Sequence, residues 1–314
     1  MSDSLLKTLN RYGSQRRPFL FVINFDLSEW EVLPLDRLPT TIRYSLGDEE
    51  LRTHPYAIRS ISPPSFELYR EKFERVLEEI RRGNTYLLNL TLPTPVTLDA
   101  SLEEIFSMAN ARYKLYYRGR FVSFSPEGFV SIRGRRIATY PMKGTIDAAM
   151  PGARERILAD PKELAEHTMV VDLLRNDLNL VAEGVALRRF RYVEKIRAGS
   201  KELLQVSSEI DGILPENWRE RLGEILLPLL PAGSVTGTPK RKTVELIRKI
   251  EGYDRGFFTG VWGVFDGENL DSAVLIRYIE KGGDGYRFKS GGGITLDSDC
   301  RQEYDELLDK VYIP

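Results

Sequence analysis

Two segments carry carboxylates at the spacing that stacks side chains on one face of a helix. The first is Asp160-Pro161-Lys162-Glu163-Leu164-Ala165-Glu166-His167, which runs on into Met169, Val170, Val171, Leu173 and Leu174. Asp160 suits the N-cap, Pro161 the first helical position, and Glu163 stands at the capping-box place, so a cap alone accounts for Glu163. Glu166 lies one turn further on, over Glu163 and beside His167 and Val170, in apolar company where a carboxylate needs a partner. A hard divalent cation such as magnesium takes one or two carboxylates and leaves the rest of its sphere to water and ligand oxygens, which suits this pair. The second segment is the last helix, where Glu303, Glu306 and Lys310 recur at i, i+3 and i+7 beside a core face of Tyr304, Leu307, Leu308 and Val311. Alone that spacing describes a solvated charged face; two Glu-x-x-Glu helices, each beside a glycine- or proline-marked loop, favour a shared cation.

Other chemistry-bearing residues sit at loops. In Tyr140-Pro141-Met142-Lys143-Gly144-Thr145 a strand stops at proline and leaves Lys143 at a loop tip, a position usually given to solvent. The small, flexible run Pro231-Ala-Gly-Ser-Val-Thr-Gly-Thr-Pro239-Lys240 feeds a helix with Thr238 as cap and Pro239 first, and backbone amides at such a turn suit an anion. Arg277 falls among Val274, Leu275 and Ile276 in an expected strand, where a buried guanidinium needs an acidic partner or an anionic ligand. Ser290-Gly291-Gly292-Gly293-Ile294 lets backbone approach a ligand closely.

These residues need a scaffold, and the pattern supplies a mixed one. Apolar runs predict a hairpin over 19–25 and 30–33, then a loop between Arg43 and Pro64 marked by Gly47, Pro55 and Pro63. Phe66, Tyr69, Phe73, Val76, Leu77 and Ile80 mark an amphipathic helix from Ser65 to Gly83. A strand follows at 84–92, then an antiparallel meander at 112–117, 120–124, 127–132 and 135–139. Beyond the acidic helix come strands at 185–192 and 203–210, a helix at 216–227, and the helix after Pro239 with Val244, Ile247 and Ile250 inward. Strands at 257–265 and 271–279 flank the turn Asp266-Gly267, and Asp299 caps the last helix.

Composition narrows the partners. The 45 Lys+Arg against 46 Asp+Glu give a net charge of -1 with no basic block, which argues against nucleic acid and a polybasic membrane contact and for a small molecule. One cysteine, Cys300, excludes an intramolecular disulfide framework, and no apolar run is long enough to span a bilayer, so a cytoplasmic protein is expected. No nucleophilic cysteine with a paired histidine marks a glutaminase.

From about residue 65 to 314 the chain resembles the chorismate-utilising family. The resemblance rests on Gly-Asn-Thr-Tyr-Leu-Leu-Asn-Leu (83–90), Ser-Pro-Glu (125–127), Pro-Met-Lys-Gly-Thr (141–145), the run from Lys162 to Leu178, Pro-Ala-Gly-Ser-Val-Thr-Gly-Thr-Pro-Lys (231–240), Ile-Arg (276–277) and the glycines 291–293 through Lys310. It implies one large α/β (α+β) domain over 1–314, with two mainly antiparallel sheets, outer helices and a reduced N-terminal portion at 1–64. It implies magnesium on Glu166 and Glu306, with Glu163 and Glu303 behind them through water. Arg277, Ser234 and the backbone near Gly292 would hold carboxylate oxygens of chorismate, and Lys310 would balance charge beside the metal. Thr145, Gln205, Thr236, Gly237 and Gly293 complete the implied substrate contacts, and Glu127 matches the general acid for the departing C4 hydroxyl.

Lys143 stands where aminodeoxychorismate synthases carry lysine and the anthranilate, isochorismate and salicylate synthases carry alanine. The resemblance therefore implies amination at C4 through a covalent lysine adduct, with a glutamine amidotransferase subunit supplying ammonia. Anthranilate synthase component I is the alternative enzyme, and a non-catalytic chorismate-binding subunit the alternative of another class. Leu87 replaces the glutamine usual in the aminating members and the lysine of the water-activating ones. Gln205 replaces a histidine near the ring, and Phe258 a carboxylate-binding tyrosine. The short N-terminal portion implies no tryptophan regulation.

Overall fold

The computed structural model describes residues 2–47, 58–198 and 201–314. The chain begins with α1 (Ser2–Ser14), which buries Leu5 and Leu9, and the apolar run after it forms β1 (Phe19–Ile23), hairpinned to β2 (Trp30–Pro34) as the pattern predicts. β3 (Ile42–Leu46) and β4 (Ile58–Ile61) occupy parts of the stretch expected to be loop; Pro55 lies outside the described residues. Ser65 caps α2 (Phe66–Arg81), and the predicted stripe of Tyr69, Phe73, Val76, Leu77 and Ile80 is buried. Next come β5 (Leu87–Leu98), α3 (Leu102–Met108), β6 (Tyr113–Tyr117), β7 (Phe121–Ser125), β8 (Gly128–Arg133), β9 (Arg136–Thr139) and β10 (Met142–Asp147). They are followed by α4 (Ala153–Ala159), α5 (Pro161–Asn179), β11 (Glu183–Ala198), β12 (Lys201–Ile213), α6 (Leu222–Leu226), β13 (Gly237–Thr238) and α7 (Lys240–Glu251). β14 (Val261–Phe265), β15 (Leu270–Val274), β16 (Tyr278–Gly282), β17 (Gly285–Ile294) and α8 (Cys300–Asp309) end the order.

The fold class is the expected one, a mixed α/β arrangement with two antiparallel sheets and helices. One sheet runs β10-β12-β9-β8-β15-β14-β1-β2 with β11 against β12, and the other β13-β5-β17-β16-β7-β6-β3 with β4 against β5. They belong to two compact units. The first comprises Met1–Leu38, Glu127–Ser234 and Gly260–Val274; the second comprises Pro39–Pro126, Val235–Thr259 and Leu275–Pro314. Inside the first, Trp218 stands edge-on to Phe265 with ring centroids 6.1 Å apart. Inside the second, α3 lays Leu102, Ile105 and Phe106 on Val122, Phe124, Ile279 and Phe288. No helix of the described residues is long and apolar enough to cross a membrane.

Several elements differ from expectation. The meander breaks at Ser125-Pro126-Glu127: β6 pairs with β7 and β8 with β9, but β7 and β8 go to different sheets across a proline that offers no ladder N–H. The helix expected at 216–227 is broken up, with the short α6 between 3-10 turns at Trp218–Arg221 and Leu227–Leu229, the latter holding Pro228. Thr238 does not cap α7; Pro239 takes that position, after a cis peptide bond, and the Thr243 hydroxyl donates back to its carbonyl at 2.9 Å. Arg277 lies between β15 and β16 rather than inside a strand.

Candidate active site

In the first unit, Asp160 Oδ1 accepts the Glu163 N–H at 3.0 Å and Pro161 opens α5, the predicted start. One turn on, Glu166 is 4% exposed. Its partner is Lys143: Nζ lies 2.6 Å from Oε2, while Lys162 lies 3.9 Å from Oε1. Lys143 is not at a loop tip. It belongs to β10, in a bulge where Lys143 and Gly144 together face Val206, between the pairs Met142↔Ser207 and Thr145↔Gln205. A bulge re-aims a side chain that strict alternation would send elsewhere. Gly144 has φ +86°, and a Cβ there would come within 2.8 Å of Glu163 Oε2, so glycine alone fits between the bulge and that carboxylate.

His167 fastens α5 to this strand pair. Its Nε2 is 2.6 Å from Ser208 Oγ, and the Ser208 N–H donates to the Pro141 carbonyl at 2.9 Å. Ser208 Oγ also accepts the Arg191 N–H, while the Arg191 guanidinium donates to the Ile157 and Leu158 carbonyls at the end of α4. Burial pushes the His167 pKa down to about 4, and the positive charge of Arg191 adds to that, so the ring is neutral near pH 7. The sequence shows His167 beside Glu166, but nothing in it marks Ser208 or Arg191 as partners.

Glu127 precedes β8 and is half-buried, and the Ser234 hydroxyl donates to its Oε1. Thus Ser234, expected on a substrate carboxylate, meets the candidate acid instead. Thr145 is exposed and stands opposite half-buried Gln205 across β10 and β12.

In the second unit, Thr236 is fully buried and its carbonyl accepts the Asn89 N–H at 2.8 Å. Gly237 has φ +135°, and a Cβ there would lie 1.9 Å from the Leu87 carbonyl oxygen; only glycine lets β13 pair with the start of β5. Glu251 and Arg255, with side chains 0% and 1% exposed, hold this corner. Glu251 Oε1 accepts the Thr91 N–H and hydroxyl at 2.8 Å, and Arg255 donates to the carbonyls of Val235 and Asn89 at 2.9 and 2.7 Å. No sequence pattern points to that pair.

Gly292 and Gly293 lie on β17 opposite Leu90 and Asn89. A Cβ at Gly292 would stand 3.3 Å from Glu303 Oε2, 3.6 Å from Lys310 Nζ and 3.8 Å from Glu306 Oε1, so these three side chains converge over the bare backbone. Glu303 is buried and accepts the Ser298 hydroxyl at 3.0 Å; exposed Glu306 pairs with Lys310 at 2.6 Å, and Lys310 also donates to the Gly291 carbonyl. Leu87 is buried, 3.7 Å from where a Gly293 Cβ would sit, and Phe258 is buried beside Tyr278. Arg277 is half-buried, with φ +49° and its guanidinium 5.1 Å from the Tyr312 ring centre; its buried Nε has no hydrogen-bond partner among the described residues. An anionic ligand would supply one.

Among the described residues, no three His, Cys, Asp or Glu side chains gather into a metal-holding group. The carboxylates Glu163 and Glu166 belong to the first unit and Glu303 and Glu306 to the second; Glu163 lies against Gly144, and Glu303 and Glu306 lie against Gly292. That donor set fits a cation content with one or two carboxylates and several waters.

The chain matches the family model described as chorismate binding enzyme over residues 40–313. An uncharacterized PabA-like protein of Pasteurella multocida (strain Pm70) is 48% identical over 99% of this chain and 98% of that protein. Aminodeoxychorismate synthase component 1 of Klebsiella aerogenes is 32% identical over 79% of this chain, which spans only 57% of that protein. Among solved structures, a putative 2,3-dihydroxybenzoate-specific isochorismate synthase, DhbC, from Bacillus anthracis matches with a TM-score of 0.72 at 22% identity, over 98% of this chain and 86% of that one, a likeness of fold.

Proposed function

Since the chain belongs to the chorismate binding enzyme family, we propose that it is a cytoplasmic aminodeoxychorismate synthase component I, which converts chorismate and ammonia to 4-amino-4-deoxychorismate for p-aminobenzoate and folate synthesis. A glutamine amidotransferase subunit supplies the ammonia. The observation that carries this reading is Lys143, re-aimed by a strand bulge onto the buried carboxylate of Glu166 at 2.6 Å. In the proposed reaction Glu127, steadied by the Ser234 hydroxyl, gives a proton to the C4 hydroxyl of chorismate. The Lys143 amine bonds to C2 as the ring double bonds shift and the C4–O bond breaks, releasing water. Ammonia then bonds to C4, the double bonds shift back, the C2–N bond to Lys143 breaks to release the free amine, and the C4 ammonium returns a proton to Glu127.

Magnesium, assigned to Glu163, Glu166, Glu303 and Glu306, would neutralise the ring carboxylate of the substrate when bound. Arg277, Thr236, Gly237, Gly292 and Gly293 would hold its carboxylate oxygens, with Lys310 balancing charge and Thr145 and Gln205 near the ring. Leu87 keeps a basic group away from C2, so water is not activated there.

The test is a product assay with chorismate, magnesium and an ammonium salt, resolved by chromatography and mass. Aminodeoxychorismate from wild type, with Lys143→Ala reduced at least about a hundredfold, is the expected result. Anthranilate as product would assign the sister activity instead. No turnover, with chorismate still bound, would make the chain a binding subunit.

A further inference from the structure

The amine and the carboxylate that the proposed function gives separate tasks are bonded to each other. Lys143 Nζ lies 2.6 Å from Glu166 Oε2. We propose that Lys143 and a divalent cation are alternative occupants of Glu166: the ammonium holds Oε2 while the metal is away and leaves it when the metal arrives. This inference rests on the proposed metal role of Glu166, and it concerns the order of events, metal before nucleophile.

The argument is steric and electrostatic. A carboxylate as buried as Glu166, 4% exposed, is costly to keep ionised without a positive partner. Magnesium sits roughly 2.0–2.1 Å from its ligand oxygens, so on Oε2 it would compete with the ammonium for that oxygen's lone pairs. The two cations also repel. Of the two lysines facing Glu166, Lys143 is the one at hydrogen-bond distance; Lys162, one turn back on α5, is 3.9 Å away and its side chain is 39% exposed. The Lys143 side chain is 24% exposed and ends a flexible four-carbon stem, so it has room to swing off the carboxylate while the backbone bulge stays in register. Until it swings, its nitrogen is held on Glu166. One group thus keeps the metal site charged and formed in the metal-free protein, and becomes available for reaction only when displaced.

Exchange of this kind is reciprocal: removing the lysine must tighten metal binding by the factor with which the lysine opposes it. Calorimetric titration of magnesium chloride at fixed pH into the full chain reads that factor. Lys143→Met is expected to bind magnesium at least about fivefold more tightly than wild type. Lys162→Met, which removes the same charge from a more distant place, is expected to stay within about twofold, and Glu166→Gln to lose most binding. Equal affinity in wild type and Lys143→Met overturns the exchange. So does an equal gain in Lys162→Met, which would reduce the effect to net charge.

A second measurement needs no variant. Lysines of wild type are labelled with an amine-reactive reagent and quantified by peptide mass, with and without magnesium. Labelling of Lys143 is expected to rise several-fold with magnesium while that of Lys162 stays level; unchanged or lower labelling of Lys143 overturns the proposal. Neither experiment reads turnover. A failed product assay therefore condemns the assigned activity and leaves the exchange standing, while equal affinities do the reverse.

Discussion

Lys143 shows how far one residue can be read from a sequence. Its type and its neighbours Pro141 and Gly144 are plain, but proline and glycine together suggest a loop, and a bulged strand has the same signature. The bulge becomes visible only when β12 supplies its register. Gly144→Ala tests its necessity. With φ at +86° and Glu163 Oε2 2.8 Å from the new methyl, the variant should lose about 1–3 kcal/mol by urea denaturation. Its kcat should fall at least tenfold, roughly, with KM less affected, because Lys143 is re-aimed while the other contacts stay. Ser234→Ala should likewise lower kcat by about tenfold or more in steady-state assays, with Ser234→Thr recovering part of it, since the hydroxyl steadies Glu127. Arg277 was legible as a cation seeking an anion. Its place between two strands, with φ +49°, was not, because Val274, Leu275 and Ile276 look like any strand interior.

At the scale of elements, helix starts were the most legible features. Asp160 caps the helix it was expected to cap, and Ser65, where the second helix was expected to begin, caps that one, since a side-chain oxygen accepting an N–H three residues on is a local event. The pair Glu251 and Arg255 is the opposite case: it lies on and just after α7, reads as ordinary surface charge at i, i+4, and is buried because β5 and the turn before β13 present carbonyls to it. Arg255→Met strands a buried carboxylate and frees those carbonyls. Denaturant unfolding should show a loss of about 3–5 kcal/mol, with KM for chorismate raised as the turn holding Thr236 and Gly237 loosens.

A pH effect belongs to the ladder of β9, β12 and β11. Burial opposes ionisation of Asp211, but hydrogen bonds from Arg188 at 2.6 Å and Arg136 at 2.5 Å outweigh it and hold the carboxyl below its usual range. The unfolded chain therefore takes up that proton first. The stabilisation is complete above the unfolded value of roughly 4 and disappears as pH falls through the folded one. The gap in unfolding free energy between wild type and Asp211→Asn should accordingly narrow as pH is lowered from about 5 to about 2, as urea melts followed by circular dichroism would record.

For the molecule as a whole, chain order and spatial order part company. The chain leaves one unit for the other after Leu38, Pro126, Ser234, Thr259 and Val274, and Glu127, Ser234, Phe258 and Arg277 all lie within three residues of such a passage. Local patterns could not reveal this, because strand pairing is a long-range property: β5 finds β17 nearly two hundred residues later. No linker of altered composition marks the passages either. A fragment of residues 39–126 holds β3 to β7 but lacks β13, β16 and β17, so it should give little protected strand in hydrogen exchange, where the full chain protects β5.

The place of β17 also bears on how the protein is made. It lies between β5 and β16, so their sheet cannot close until Ile294 has been synthesised. From the synthesis of Leu98 until β17 emerges, the edge of β5 that β17 will pair, with Leu88, Leu90 and Leu92 along it, waits without its neighbour. The nascent chain should therefore depend on chaperone holding for most of its synthesis, and a ribosome that stalls before β17 releases a polypeptide whose sticky edge invites aggregation or degradation.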